Sequence, residues 1–147
     1  MNNLQIFLVD DDKMFLKSLE YRIFDLFKNV NIKTFLTGEE CLDNIYDCPD
    51  AVILDYFMPG MNGLATFRSI KEQMPKMPVV LLSNNTDESI IEQFCKAGAN
   101  NYILKEEGYI DQLKLAINKI TANNLSENRN NKFSGNEMMF CDIGGES

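Results

Sequence analysis

Three carboxylates stand together at Asp10-Asp11-Asp12, a fourth stands at Asp55, and a hydroxyl and an ammonium follow at Ser83 and Lys105. Each closes an apolar run: residues 4–9 run into the triple Asp, 51–54 into Asp55, 79–82 into Ser83 and 101–104 into Lys105. A short, continuous apolar run bounded by turn signals reads as a strand buried on both faces. If such strands lie parallel, all of these tips emerge at one edge of the sheet, where open α/β sheets keep their chemistry. Two unit charges about 4 Å apart repel by roughly 4 kcal/mol at an effective dielectric near 20, so clustered carboxylates need a cation. Mg²⁺ suits an oxygen-rich acidic site. With Lys105 and the Ser83 hydroxyl it would face the Asp55 carboxylate, an arrangement able to neutralise a phosphoryl group while Asp55 attacks phosphorus in line.

The elements that must position these groups alternate along the chain. Residues 13–28 carry Leu16, Leu19, Ile23 and Leu26/Phe27 at helical spacing, with Asp12 as the cap. A β-rich segment, 30–36, precedes a short helix from Thr37-Gly38 to about Tyr46, stopped by Pro49-Asp50. After Asp55, Met58-Pro59-Gly60 and Asn62-Gly63 turn the chain. A helix with Leu64, Phe67 and Ile70 inward then runs towards Pro75. Thr86 or Asp87 caps the next helix, Ile90, Ile91 and Phe94 face inward, and Gly98 stops it. The last helix is expected over 109–121. Five strands alternating with five helices predict right-handed crossovers and an α/β parallel sheet with helices on both faces.

Composition narrows the chemistry. The 147 residues fit one domain. A net charge of −8 without a basic stripe repels a phosphate backbone, so no nucleic-acid partner is expected. No apolar run approaches the roughly 20 residues of a membrane span, and the first residues lack a secretory pattern, so no membrane association and a cytoplasmic location are expected. Cys41, Cys48, Cys95 and Cys141 form no Cys-x-x-Cys pair and read as free thiols. There is no histidine, which removes Ser-His-Asp and Cys-His catalysis and histidine-ligated zinc. Carboxylates must carry any chemistry. From Ala122 the sequence turns to Asn, Ser and Glu, so 1–122 is expected as the folded domain and 123–147 as a polar C-terminal tail without an output domain. Within that tail, Met138 to Ile143 form a small apolar island.

Over about residues 2–121 the sequence resembles the response-regulator receiver domains of bacterial two-component signalling. The resemblance rests on Val9-Asp10-Asp11-Asp12, on Asp55 with Met58-Pro59-Gly60 and Asn62-Gly63, on Leu81-Leu82-Ser83, on Gly98-Ala99, and on Tyr102-Ile103-Leu104-Lys105. It implies the flavodoxin-like doubly wound sheet with strand order 2-1-3-4-5, a fold that serves as a standard illustration of the switch-point rule. It implies Asp55 as phospho-acceptor, Asp10 and Asp11 as the acidic pair for Mg²⁺, and the backbone carbonyl of Phe57 as a further ligand. Ser83 then bonds the phosphoryl group, Lys105 forms a salt bridge to it, and Tyr102 is the aromatic switch of the face made by the fourth helix, fifth strand and fifth helix. The implied partners are a sensor histidine kinase or histidine phosphotransfer protein and a downstream protein target. Such a protein is not a conventional enzyme, since it catalyses its own phosphorylation and autodephosphorylation. Family members often pair through the output face, and nothing in this sequence fixes whether phosphorylation forms a homodimer.

Two positions depart from the family pattern. Glu106 stands where a proline with a cis bond usually follows the lysine, and a cis bond before a non-proline residue costs about 2.5–4 kcal/mol. Asn84 stands where a small residue is usual, a place from which it could shield the phosphoryl group. Two other readings compete. Asp10-x-Asp12 after a strand imitates a haloacid-dehalogenase-type phosphatase, although Lys13 is unsuited to that motif. A receiver-like adaptor would bind partners without phosphorylation, with the Glu106 and Asn84 departures as its support.

Overall fold

The computed structural model describes residues 3–56, 62–84, 87–99 and 101–129, with the backbone alone for 124–129. Strand β1 (Leu4–Val9) leads through α1 (Lys13–Leu26), β2 (Val30–Phe35), α2 (Gly38–Asp43) and a 3-10 turn (Ile45–Asp47) to β3 (Ala51–Leu54). Then follow α3 (Gly63–Gln73), β4 (Val79–Ser83), α4 (Glu88–Lys96), β5 (Tyr102–Leu104) and α5 (Tyr109–Arg129). The five strands pair in parallel in the order β2-β1-β3-β4-β5, the flavodoxin-like arrangement.

Strand side chains alternate between faces, and the core divides accordingly. Phe7 and Val9, Val52 and Leu54, and Val79 and Leu81 pack with Phe67 and Ile70 of α3 and Phe94 of α4. Ile6 and Leu8, Ala51 and Ile53, and Val80 and Leu82 pack with Leu16, Leu19 and Ile23 of α1 and Leu113, Ile117 and Ile120 of α5. Both faces of β3 are therefore covered, which is why its sequence is apolar throughout. Burying a Leu, Ile or Val side chain contributes about 1.5–3 kcal/mol. This double layer fixes the strand register, and the register sets the height of every tip. The pairs Val9 with Leu54 and Leu54 with Leu81 place Asp10, Asp55 and the end of β4 at one level.

The helices begin where their caps predict. Asp12, Thr37, Asn62 and Asp87 each accept backbone N–H groups of the first turn. Gly98 follows α4 with φ +102°, and its N–H donates to the Cys95 carbonyl at 3.0 Å. Three helix ends differ from expectation. Helix α1 stops at Leu26, because Phe27 is already extended. Helix α2 stops at Asp43 rather than near Tyr46, where the Asn44 side chain donates to the Glu40 carbonyl at 2.9 Å and competes with the helical ladder. Helix α5 continues to Arg129, past the expected end at Thr121, since a polar sequence does not by itself end a helix. The apolar island at Met138 to Ile143 lies outside the described residues. Among the described residues no helix is long and apolar enough to cross a membrane. Cys41 and Cys48 are free thiols as expected.

Candidate functional site

The site forms where β1, β3, β4 and β5 end. Asp10 leaves β1 with its N–H on the Phe35 carbonyl at 3.1 Å, and Asp55 leaves β3 with its N–H on the Val9 carbonyl at 3.0 Å. Both carboxylates are buried, whereas Asp11 is exposed. One oxygen from each of Asp10, Asp11 and Asp55 lies within 4.8 Å of the others. The Asp12 N–H donates to Asp10 Oδ1 at 3.0 Å and holds that carboxylate in place. Asp12 itself turns away, accepting the Met14 and Phe15 N–H groups at 3.1 Å as the cap of α1. That occupation leaves Asp12 outside the triad and removes the support for an Asp10-x-Asp12 phosphatase pair.

Lys105 extends from β5 into this cluster. Its Nζ lies 2.8 Å from Asp10 Oδ2 and 3.3 Å from Asp55 Oδ1. Its backbone N–H donates to the Ser83 carbonyl at 2.9 Å, so the neighbouring strand carries the lysine. No cis peptide bond occurs among the described residues, so the Lys105–Glu106 bond is trans and the lysine reaches both carboxylates from it.

One ammonium faces three carboxylates. Burial, reinforced by the Asp10 charge, pushes the Asp55 carboxyl up to about 6 although Lys105 pulls the other way. Burial also raises Asp10 against the opposing bonds from Lys105 and Asp12. Burial alone would lower Lys105, but its bond to Asp10 and the Asp55 charge outweigh that, so it stays protonated. The excess negative charge, carried by hard oxygen donors at close range, fits a divalent cation such as Mg²⁺.

Ser83 is fully buried at the end of β4, and its side chain shares a hydrogen bond with the Tyr102 hydroxyl. Tyr102 lies inside, 5% exposed, with its ring 5.7 Å from that of Phe94. Phe94 also meets Tyr56, the residue after Asp55, at 5.6 Å. The structure therefore brings Asp10, Asp11, Asp55 and Lys105 into direct proximity and links Ser83 to Tyr102. Phe57 lies outside the described residues.

Two participants were missed from sequence. Gly63, at the start of α3, approaches β3 so closely that a Cβ there would lie 2.5 Å from the Asp55 carbonyl oxygen and the Tyr56 Cα. The Asn-Gly pair signals a turn but not this contact. Phe15, in the first turn of α1, places its ring 4.1 Å from Lys105 Nζ. An aromatic residue three places after Asp12 is the available signal, but the helical stripe runs through its neighbour Leu16.

The chain is similar to known proteins over most of its length. The transcriptional activator protein ExaE of Pseudomonas putida is 30% identical over 68% of this chain and 47% of its own length. The chain spans less than two thirds of the curated relatives it matches. Among solved structures, the BeF3-activated receiver domain of DrrB from Thermotoga maritima superposes with a TM-score of 0.73 at 30% identity, over 82% of this chain and 99% of that one. CheY in the CheX-CheY-BeF3-Mg complex from Borrelia burgdorferi superposes with a TM-score of 0.71 at 25% identity, over 80% and 89%. The family model of the response regulator receiver domain matches residues 6–118, more than half of the chain, and with the acidic pocket at the strand tips this places the protein in the response regulator receiver family.

Proposed function

We propose that this protein is a phospho-acceptor in a two-component phosphorelay, with Asp55 as the residue that takes the phosphoryl group. The carrying observation is the cluster itself: three carboxylates within 4.8 Å, with Lys105 at 2.8 Å from one and 3.3 Å from another. The donor, as membership of the receiver family implies, is a phosphohistidine of a sensor histidine kinase or histidine phosphotransfer protein. An Asp55 carboxylate oxygen bonds to phosphorus as the P–N bond to the imidazole breaks, and the imidazole departs with that electron pair and takes a proton. Lys105 meets the charge on the phosphoryl oxygens. A Mg²⁺ held by Asp10, Asp11 and Asp55 would supply Lewis-acid neutralisation of the same charge.

Ser83 couples the site to the surface. Turning its hydroxyl towards a phosphoryl group gives up the bond to Tyr102, whose ring packs on Phe94 of α4. The face built by α4, β5 and α5 then changes and is read by a protein target. DrrB and CheY, similar to this chain, are known with BeF3, and the CheY complex with Mg as well, which supports an equivalent response here.

The test is intact mass after incubation with acetyl phosphate and Mg²⁺, beside Asp55→Asn. Wild type should gain one phosphoryl adduct, which chelation of Mg²⁺ and the substitution should each abolish. Undiminished labelling of Asp55→Asn would refute the assignment. No labelling of either protein, with partner binding independent of Mg²⁺, would favour the adaptor reading.

A further inference from the structure

Lys105 carries its charge on a flexible four-carbon stem, so its usefulness depends on what fixes the ammonium. The backbone is fixed by the bond to Ser83, and a tight turn follows in which the Glu106 N–H donates to the Leu104 carbonyl at 2.8 Å. The head has two carboxylate partners, Asp10 and Asp55. It also has a third neighbour of a different kind, the Phe15 ring, whose centroid lies 4.1 Å from Nζ. That is well inside the range of about 6 Å over which a cation is attracted to the negative face of an aromatic ring. The lysine side chain is only 13% exposed, so little water competes for it.

Phe15 is placed by devices already at the site. Its N–H is one of the two that Asp12 caps, and Asp12 in turn donates its own N–H to Asp10. The same turn of α1 therefore orients an acidic ligand and an aromatic ring. The ring is backed by Tyr109 of α5, with centroids 6.1 Å apart. Beyond it opens a cleft of about 610 Å³, also bordered by Arg22, Glu106 and Asp111. Phe15 and Lys105 both border this cleft, so the ring covers one side of the lysine at its rim.

We propose that Phe15 is a positioning residue for Lys105, holding the ammonium over the Asp10–Asp55 pair by a cation–π contact so that it meets the phosphoryl oxygens without a search. The role rests on the phospho-acceptor reading of Asp55. It predicts that the electronic character of residue 15 matters, not only its bulk. Phe15→Leu keeps an apolar cover and loses the π face; Phe15→Tyr and Phe15→Trp keep both.

Two measurements decide. The first is the NMR shift of the Lys105 ε-methylene protons, assigned by their loss in Lys105→Arg. Ring current should move them upfield in wild type and in Phe15→Tyr, and Phe15→Leu should return them to the ordinary lysine position. The second is the rate of acetyl phosphate labelling at saturating Mg²⁺, a small donor being used so that docking of a protein partner plays no part. Phe15→Leu should label about three- to tenfold more slowly, with Phe15→Tyr within about twofold of wild type. Equal rates for Leu and Phe, or a tyrosine variant as slow as leucine, would overturn the proposal, as would an unshifted Lys105 signal in wild type. If Asp55→Asn labels like wild type, the phospho-acceptor reading falls separately, and the Lys105 shift still reports whether the ring holds the ammonium.

Discussion

Asp55 is caught between opposing demands. The proposed role as phospho-acceptor requires the ionised carboxylate, while burial and the charge of Asp10 favour the protonated form and push its pKa from 3.8 up to about 6. A carboxyl with a higher pKa folded than unfolded holds its proton more tightly in the folded state. Its contribution to stability is therefore present on the acid side and is lost as pH rises from about 4 to about 6. At about 1.36 kcal/mol per unit, this single group costs the cation-free protein up to about 3 kcal/mol at neutral pH. Asp55→Asn removes that cost and keeps the shape. Chelator-treated Asp55→Asn should be more stable than wild type at about pH 7.5, by up to about 3 kcal/mol, with the two converging near pH 4. Denaturant unfolding at both pH values measures this. A substituted protein less stable than wild type at neutral pH would show that Lys105 compensates the charge more fully than its one ammonium permits.

At the scale of elements, the site depends on how closely α3 approaches the end of β3. The Gly63 N–H donates to the Tyr56 carbonyl at 2.8 Å, and no side chain fits between that glycine and the backbone of Asp55 and Tyr56. Because the obstructing atoms are main chain, the contact cannot be relieved by a rotamer. Gly63→Ala should destabilise the protein by about 1–3 kcal/mol. It should also slow labelling of Asp55 by more than the loss of folded protein explains, because the displaced segment carries the residue proposed as nucleophile. Thermal unfolding and acetyl phosphate labelling on the same sample separate the two effects. The sequence made the strand tips legible because a doubly covered strand must be apolar until it ends, which marks Asp10, Asp55, Ser83 and Lys105 by position. It made the caps legible because Asp12 and Asp87 are residue types that accept first-turn N–H groups. It concealed the length of α5, because a polar run such as that past Ile120 is compatible with either a helix or a loop. The contact of Phe15 with Lys105 was hidden for another reason: nothing local to residue 15 encodes a neighbour that arrives with the last strand.

At the scale of the whole molecule, the fold gathers negative charge at one end of the sheet in a chain that is already strongly acidic. The same packing that fixes the strand register forces Asp10 and Asp55 together, so core stability and electrostatic strain rise from one cause. A divalent cation held by the triad would relieve the strain by binding the folded state, since an unfolded chain does not present the triad. Binding of this kind stabilises by about 2.7 kcal/mol when free cation is a hundredfold above its dissociation constant. The effect must depend on pH, because a cation binding Asp55 competes with the proton held there with a pKa of about 6. Saturating Mg²⁺ should therefore raise the melting temperature by several degrees at about pH 7.5 and by clearly less at about pH 5. In Asp55→Asn the shift should shrink at neutral pH and lose most of its dependence on pH between those values. Melting curves of both proteins, with Mg²⁺ or with chelator, test the chain of cause from register to charge to cation. An equal shift at both pH values, or one undiminished in Asp55→Asn, would place the cation elsewhere on the acidic surface and detach the metal from the residue proposed to carry the phosphoryl group.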